Sequence, residues 1–133
     1  MASPTRAIPS SVTITEPALL IRINQSYRPG MSNVALYEAT RGVWKVGPRR
    51  EGAQLALAVH EGIVVEVYAI HDWHPGNTTP YQTRRFDDRL MGGRWEFTGS
   101  VAADPVRERY VGKSVADYFA RGSQNPIKYV NVD

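Results

Sequence analysis

Apolar residues fall along the chain in short runs of period two, broken at close intervals by glycine and proline, and this spacing predicts a sheet-rich fold. Residues 18–24 (ALLIRIN) form an apolar, β-branched run that reads as a first strand. Tyr27-Arg28-Pro29-Gly30 marks a turn, and Ser32 stands as N-cap of a short helix to about Ala39, with Val34, Leu36 and Tyr37 competing for its buried side. Residues 40–52 hold glycine and proline and read as a strand fragment between loops. Two apolar runs, 54–60 and 63–70, flank Glu61-Gly62 and predict a hairpin. Its second arm, IVVEVYAI, has the density of a central strand covered on both faces.

Residues 72–93 lack any apolar period, and a loop of that length inside a domain is commonly functional. Residues 94–102 alternate Trp95, Phe97 and Val101 with polar neighbours, Gly99 interrupting, as in a half-buried strand. Asp104-Pro105 predicts a helix start running to Tyr110. Val115, Tyr118 and Phe119 share a face of a second helix over 114–121, closed by Gly122, and residues 126–132 form a last strand. Residues 1–17, with three prolines and no period, read as a flexible N-terminal arm, leaving 18–133 as one domain. The predicted class is α+β: a mixed, strongly curved sheet or pseudo-barrel of about six strands with two or three short helices, because strict βαβ alternation is absent.

Composition narrows the chemistry. The 133 residues contain no cysteine, which removes disulfides, thiolate metal sites and thiol nucleophiles together. No apolar run approaches the roughly 20 residues of a membrane helix, and no secretory leader opens the chain. The expectation is a soluble cytoplasmic protein without cofactor or membrane partner. The net charge is only +3, yet arginine outnumbers lysine 13 to 3. Guanidinium groups grip phosphate in a bidentate way and stack on bases, so the excess fits a nucleic-acid surface as well as a codon bias.

Catalytic signatures are weak. Gly112-Lys113-Ser114 lacks the upstream glycine of a phosphate-binding loop, since Arg107 stands there. His60, His71, Asp72 and His74 contain the donors of a cation site, but residues three apart on a strand point to opposite faces. Glu66, inside the most apolar run, requires an arginine partner or a catalytic role. A metal- or carboxylate-dependent enzyme acting on nucleotides is therefore one alternative. An adaptor docking an acidic protein on the Arg-rich loop is another.

Aromatic and basic residues interleave more tellingly. Trp44 lies between Arg41 and Lys45, with Arg49 and Arg50 behind and no acid before Glu51. Trp73 and Tyr81 fall in the long loop beside Arg84 and Arg85, while Trp95 follows Arg94. Indole faces stack bases while guanidiniums hold phosphates, as binding of a single strand or an extruded base requires. Trp44 and Trp95 lie on predicted strands, where core packing competes; Trp73 and Tyr81 are the freer candidates. The reading is a nucleic-acid-binding module, for RNA or a modified base, with Arg41, Trp44, Lys45, Arg49, Arg50, Trp73, Tyr81, Arg84 and Arg85 as its site.

The order of elements, with the hairpin LALAVHEGIVVEVYAI after a helix and a glycine-containing basic segment, resembles the PUA-like barrels, including the EVE and ASCH domains, over residues 18–102. The blocks TRGVWKVG (40–47) and QNPIKYVN (124–131) look like motif material of such domains. The resemblance implies a small pseudo-barrel that reads RNA or an extruded, modified DNA base in a pocket beside the first helix. It assigns no individual residue.

Overall fold

A computed structural model describes residues 8–133. Five strands form one mixed sheet in the order β4-β3-β2-β1-β5, where β1 is Ala18–Arg22, β2 Leu55–His60, β3 Ile63–Pro75, β4 Trp95–Val101 and β5 Ile127–Val130. Only β1 and β2 run parallel, since α1 (Asn33–Arg41) lies in the crossover between them; the other neighbours are antiparallel. The second helix, α2, is Asp104–Tyr110. The architecture is α+β, with β4 and β5 at the two edges of the sheet.

Period two sends alternate side chains to opposite faces, and both faces are covered. Leu20, Leu55, Leu57, Val59, Val64 and Val67 meet Ile14, Tyr110 and Val115 on one side. Leu19, Ile21, Ala56, Ala58, Tyr68 and Phe97 meet Leu36, Tyr37 and Trp44 on the other. The strands covered on both faces are β1 and β2, not the β3 run singled out by its valine density. β2 sits third of five, whereas β3 is next to an edge strand and half-exposed at several positions.

Other expectations hold or shift for identifiable reasons. Ser32 caps α1, accepting from the Ala35 N–H at 3.1 Å, but the helix runs to Arg41 and buries Glu38, Ala39, Thr40 and Arg41, leaving Val34 exposed. The hairpin turn falls at Glu61-Gly62. The anticipated sixth strand near Trp44 is one bridge to Trp95, followed by a 3-10 turn over Pro48–Gly52, because glycine and proline interrupt it on both sides. β3 continues to Pro75, so Trp73 and its histidine neighbours are strand residues paired with β4 rather than loop residues. The helix expected over 114–121 shrinks to a 3-10 turn at Ala116–Tyr118: the Val115 N–H is drawn to the Gly62 carbonyl at 2.8 Å and Val115 is buried. α2 starts one residue earlier than the Asp104 cap anticipated, with Ala103 as N-cap.

The arm differs as well. Residues 1–7 lie outside the described residues, but from Ser10 the chain is tied down. Ser10 accepts from the Ser114 N–H at 2.8 Å, and Ile14 is 3% exposed in the core. Ile14, with its N–H on the Tyr118 hydroxyl at 2.9 Å, and Val12, with its N–H on the Ser114 carbonyl at 3.1 Å, dock a segment whose prolines suggested none.

Gly99 interrupts the β4 pattern because β3 bulges opposite it, between Ile70 and Asp72. A Cβ at Gly99 would collide with the Ala69 carbonyl oxygen and stand 3.1 Å from its carbon. Gly99→Ala is expected to lower unfolding stability by about 1–3 kcal/mol. A urea midpoint unchanged from the parent protein would contradict this account of the bulge.

Candidate functional site

Two buried carboxylates fix the loop that follows β3. Glu96 lies between Trp95 and Phe97 on β4 and is 0% exposed. It accepts from the Asn77 N–H, from the Thr79 N–H at 2.9 Å, from the Thr79 hydroxyl and from the Tyr81 hydroxyl at 3.2 Å. Glu38, on the inner face of α1, accepts from the Gln82 and Thr83 N–H groups, each at 2.7 Å, and from the Thr83 hydroxyl at 2.5 Å. Arg41, one turn on, is 3% exposed and lies 3.7 Å from the Glu96 carboxylate. It donates to Thr79 Oγ1 at 2.7 Å and to the Pro80 carbonyl at 2.6 Å, and stacks 3.7 Å over the Tyr81 ring. Gly42 lets the two layers meet, since a Cβ there would strike the Tyr81 hydroxyl and stand 2.8 Å from Glu96 Cβ.

These interactions shift several pKa values. Burial pushes the Glu38 carboxyl up, but the bonds from Thr83 and Gln82 and the Arg41 charge outweigh it, and the net direction is down. Burial drives the Tyr81 phenol upward, with Arg41 opposing and Glu96 reinforcing. Burial pulls the Arg84 guanidinium downward, while Tyr81 and Glu38 act to raise it.

Beside this clamp opens a cavity of about 720 Å3, within the range of small-ligand sites. Its lining draws on the end of β1 (Arg22, Asn24, Gln25), on Trp44 just past α1, on Arg84 and Arg94 of the loop, and on Gln124 before β5. Three arginines line it and no carboxylate does. Arg84 Nη1 donates to the Glu38 carbonyl at 2.8 Å and to the Gly42 carbonyl; Arg94 Nη1 donates to the Val43 carbonyl at 3.2 Å. Arg22 stacks 4.1 Å over Phe119, and its Nε and Nη2 are buried with no hydrogen-bond partner. The Trp44 indole is oriented by its N–H bond to the Thr40 carbonyl at 2.8 Å, and its backbone exchanges two 2.8 Å bonds with Trp95.

Of the residues singled out in the sequence, Trp44 and Arg84 line this cavity. Arg41 and Tyr81 do not: both are engaged in the Glu96 clamp, where their polar groups hold the loop. Trp73 packs edge-on against Phe97, 5.4 Å between ring centres, as its place on β3 dictates. Arg49 covers the Tyr129 ring at 4.4 Å and donates to the Val132 carbonyl; Arg50 covers the Trp95 ring at 3.4 Å and pairs with Glu51 at 3.2 Å. Lys45 and Arg85 are exposed, away from the cavity lining. Arg22, Asn24, Gln25, Arg94 and Gln124 were missed. Arg22 and Arg94 carried the right chemistry but sat outside the acid-free segment that drew attention, and the three amides carried no signal.

The other polar candidates have ordinary partners. Glu66 accepts from Arg107 through Nε at 2.7 Å and Nη2 at 3.1 Å, beside a second cavity of about 440 Å3 under α1. His71 and His74 meet the hydroxyls of Ser100 and Thr98 at 3.2 and 3.0 Å. Among the described residues no three histidine or carboxylate side chains assemble as metal ligands. Among the described residues no helix is long and apolar enough to cross a membrane. No family model, curated protein or solved structure matches this chain.

Removing the Glu96 charge takes from buried Arg41 the carboxylate 3.7 Å away, so Glu96→Gln is expected to cost roughly 3–5 kcal/mol. It should also expose Arg84, Arg85 and Arg89 to rapid tryptic cleavage; parental stability and parental digestion would contradict the clamp. Glu38, whose folded pKa is depressed, stabilises the fold above roughly pH 4.3, and this contribution is lost as pH falls through its folded value. Glu38→Gln should therefore flatten the acid limb of a stability–pH curve; an unchanged limb would show that Glu38 contributes nothing to it.

Proposed function

We propose that the protein is a non-enzymatic nucleic-acid-binding module that takes an unpaired or extruded base of RNA or DNA into the cavity beside Trp44. The observation that carries this reading is the lining itself: an oriented indole, three arginines, no carboxylate, and the amides of Asn24, Gln25 and Gln124. An indole face supplies sequence-tolerant stacking, carboxamides match the donor and acceptor edges of bases, and guanidiniums attract phosphate. Asn24 Oδ1 already accepts from the Glu61 N–H at 2.9 Å, which turns its amide N–H groups into the available donors.

The cavity begins where α1 ends, at Val43 and Trp44, which accords with the pocket beside the first helix that the PUA-like resemblance implies. Membership of that group, with the sheet as the curled wall of a pseudo-barrel, belongs to the same proposal. Lys45 and Arg85 are exposed cations suited to the flanking backbone, and the excess of arginine over lysine suits both tasks.

Binding of short fluorescent single-stranded RNA and DNA at two salt concentrations tests the reading. Affinity is expected to fall as salt rises. Trp44→Ala should weaken it by about 5- to 150-fold, the equivalent of roughly 1–3 kcal/mol for a lost stacking platform, in protein that melts at a lower temperature yet still cooperatively. No binding at low salt, or equal binding by a folded Trp44→Ala protein, would remove the proposal.

A further inference from the structure

Which polar groups of the cavity can meet a base follows from which are already engaged. Arg22 is not free, because its Nε and Nη2 are buried over the Phe119 ring. Arg84 closes the end of α1: its Nη1 donates to the Glu38 and Gly42 carbonyls, so its charge answers the helix C-terminus. Arg94 is different. Its Nη1 donates to the Val43 carbonyl at 3.2 Å, while its Nε and Nη2 bond to nothing among the described residues and are not buried.

Two constraints hold that free edge beside the stacking platform. The bond to Val43 ties the guanidinium to the residue before Trp44, and Trp95, next to Arg94, exchanges two 2.8 Å backbone bonds with Trp44 itself. Arg94 and Trp44 line the same cavity of about 720 Å3. The Nε–H and one Nη2–H of a guanidinium point in parallel, and this fork matches a ligand with two adjacent acceptor atoms.

Bases differ in that respect. Guanine carries adjacent acceptors at N7 and O6, and arginine in bidentate contact with them is the commonest specific pairing to a base. Adenine sets an amino donor beside N7, which would face the arginine donor to donor. Uracil separates its two carbonyls by an N–H, and the N3/O2 pair of cytosine belongs to a single ring with less face to stack on an indole. Asn24 adds further donors, since its Oδ1 is occupied by the Glu61 N–H at 2.9 Å. Gln25 and Gln124 line the same cavity and can turn amide oxygens to the N1–H and N2–H groups of guanine.

Building on the nucleic-acid reading above, we infer that the cavity selects guanine, with Arg94 reading N7 and O6 of a base stacked on Trp44. Arg94 is then the residue that sets base specificity, and the ligand is an unpaired or extruded guanine of a strand.

Short single strands carrying one central base between abasic sites, with guanine, adenine, cytosine or uracil in turn, test this by fluorescence anisotropy. Guanine should bind tighter than each of the others by about 5- to 150-fold, the range of one bidentate contact. Replacing it with 7-deazaguanine, which lacks the N7 acceptor, should remove most of that advantage. Arg94→Lys keeps the charge without the fork, and should lose the preference while retaining binding that depends on Trp44. An Arg94 with only a structural role would leave the ratio of guanine to adenine affinity unchanged, which counts against the inference. Should Arg94→Lys fail to fold, the 7-deazaguanine comparison on the parent protein decides alone, undiminished affinity being the adverse result. Equal affinity for the four bases, or preference for a base other than guanine, still dependent on Trp44, overturns guanine selection and leaves base binding intact. Absence of binding to every strand overturns both.

Discussion

The Glu96 carboxylate is the constraint around which this molecule is arranged. A charge with no exposure to water demands a full set of donors, and here they come from Asn77, Thr79, Tyr81 and the nearby Arg41. Meeting that demand folds residues 77–81 back over β4 and against the end of α1. The Glu38 carboxylate repeats the arrangement one step further along with Gln82 and Thr83. A long segment without apolar periodicity is thereby ordered by polar bonds instead of hydrophobic burial, and Arg84 and Arg94 arrive at the cavity as a result.

Arginine plays two distinct parts in such a structure, and burial with or without a carboxylate separates them. Arg41 faces Glu96, Arg107 faces Glu66, and Arg109 faces Glu16 at 2.7 Å; these hold elements together. Arg49 and Arg50 stand over the Tyr129 and Trp95 rings, on the face of the sheet that also carries Trp44. Arg22, Arg84 and Arg94 share one hollow with no acid in its lining. Much of the excess of arginine over lysine therefore serves structural stacking and pairing.

Strand and turn chemistry made much of the fold legible beforehand. The ALLIRIN run, the Glu61-Gly62 hairpin, the Ser32 cap and the strand around Trp95 and Phe97 all follow from local pattern and agree with the structure. Expectations failed where distant partners overrule local preference. β3 runs on through His71, Asp72, Trp73 and His74 because β4 is there to pair with it, a fact no window of sequence contains. The helix drawn from Val115, Tyr118 and Phe119 lost to a bond between Val115 and Gly62 across some fifty positions of chain. For the site, chemistry was readable and grouping was not: Trp44 and Arg84 were found from aromatic and basic interleaving, while Arg41 and Tyr81 share that pattern yet serve the clamp. Their partners Glu38 and Glu96 had a visible signature, a carboxylate flanked by aromatic or apolar neighbours, but the apolar frame was read as core alone.

The antiparallel pairing of β5 with β1 gives the hollow an unusual place in the biosynthesis of the chain. Its wall joins Arg22 and Asn24, made early, to Gln124 and Pro126, made more than a hundred peptide bonds later. Phe119, which supports Arg22, is also late. Until residues 119–126 have left the ribosome, the nascent protein has its central strands but no complete recess.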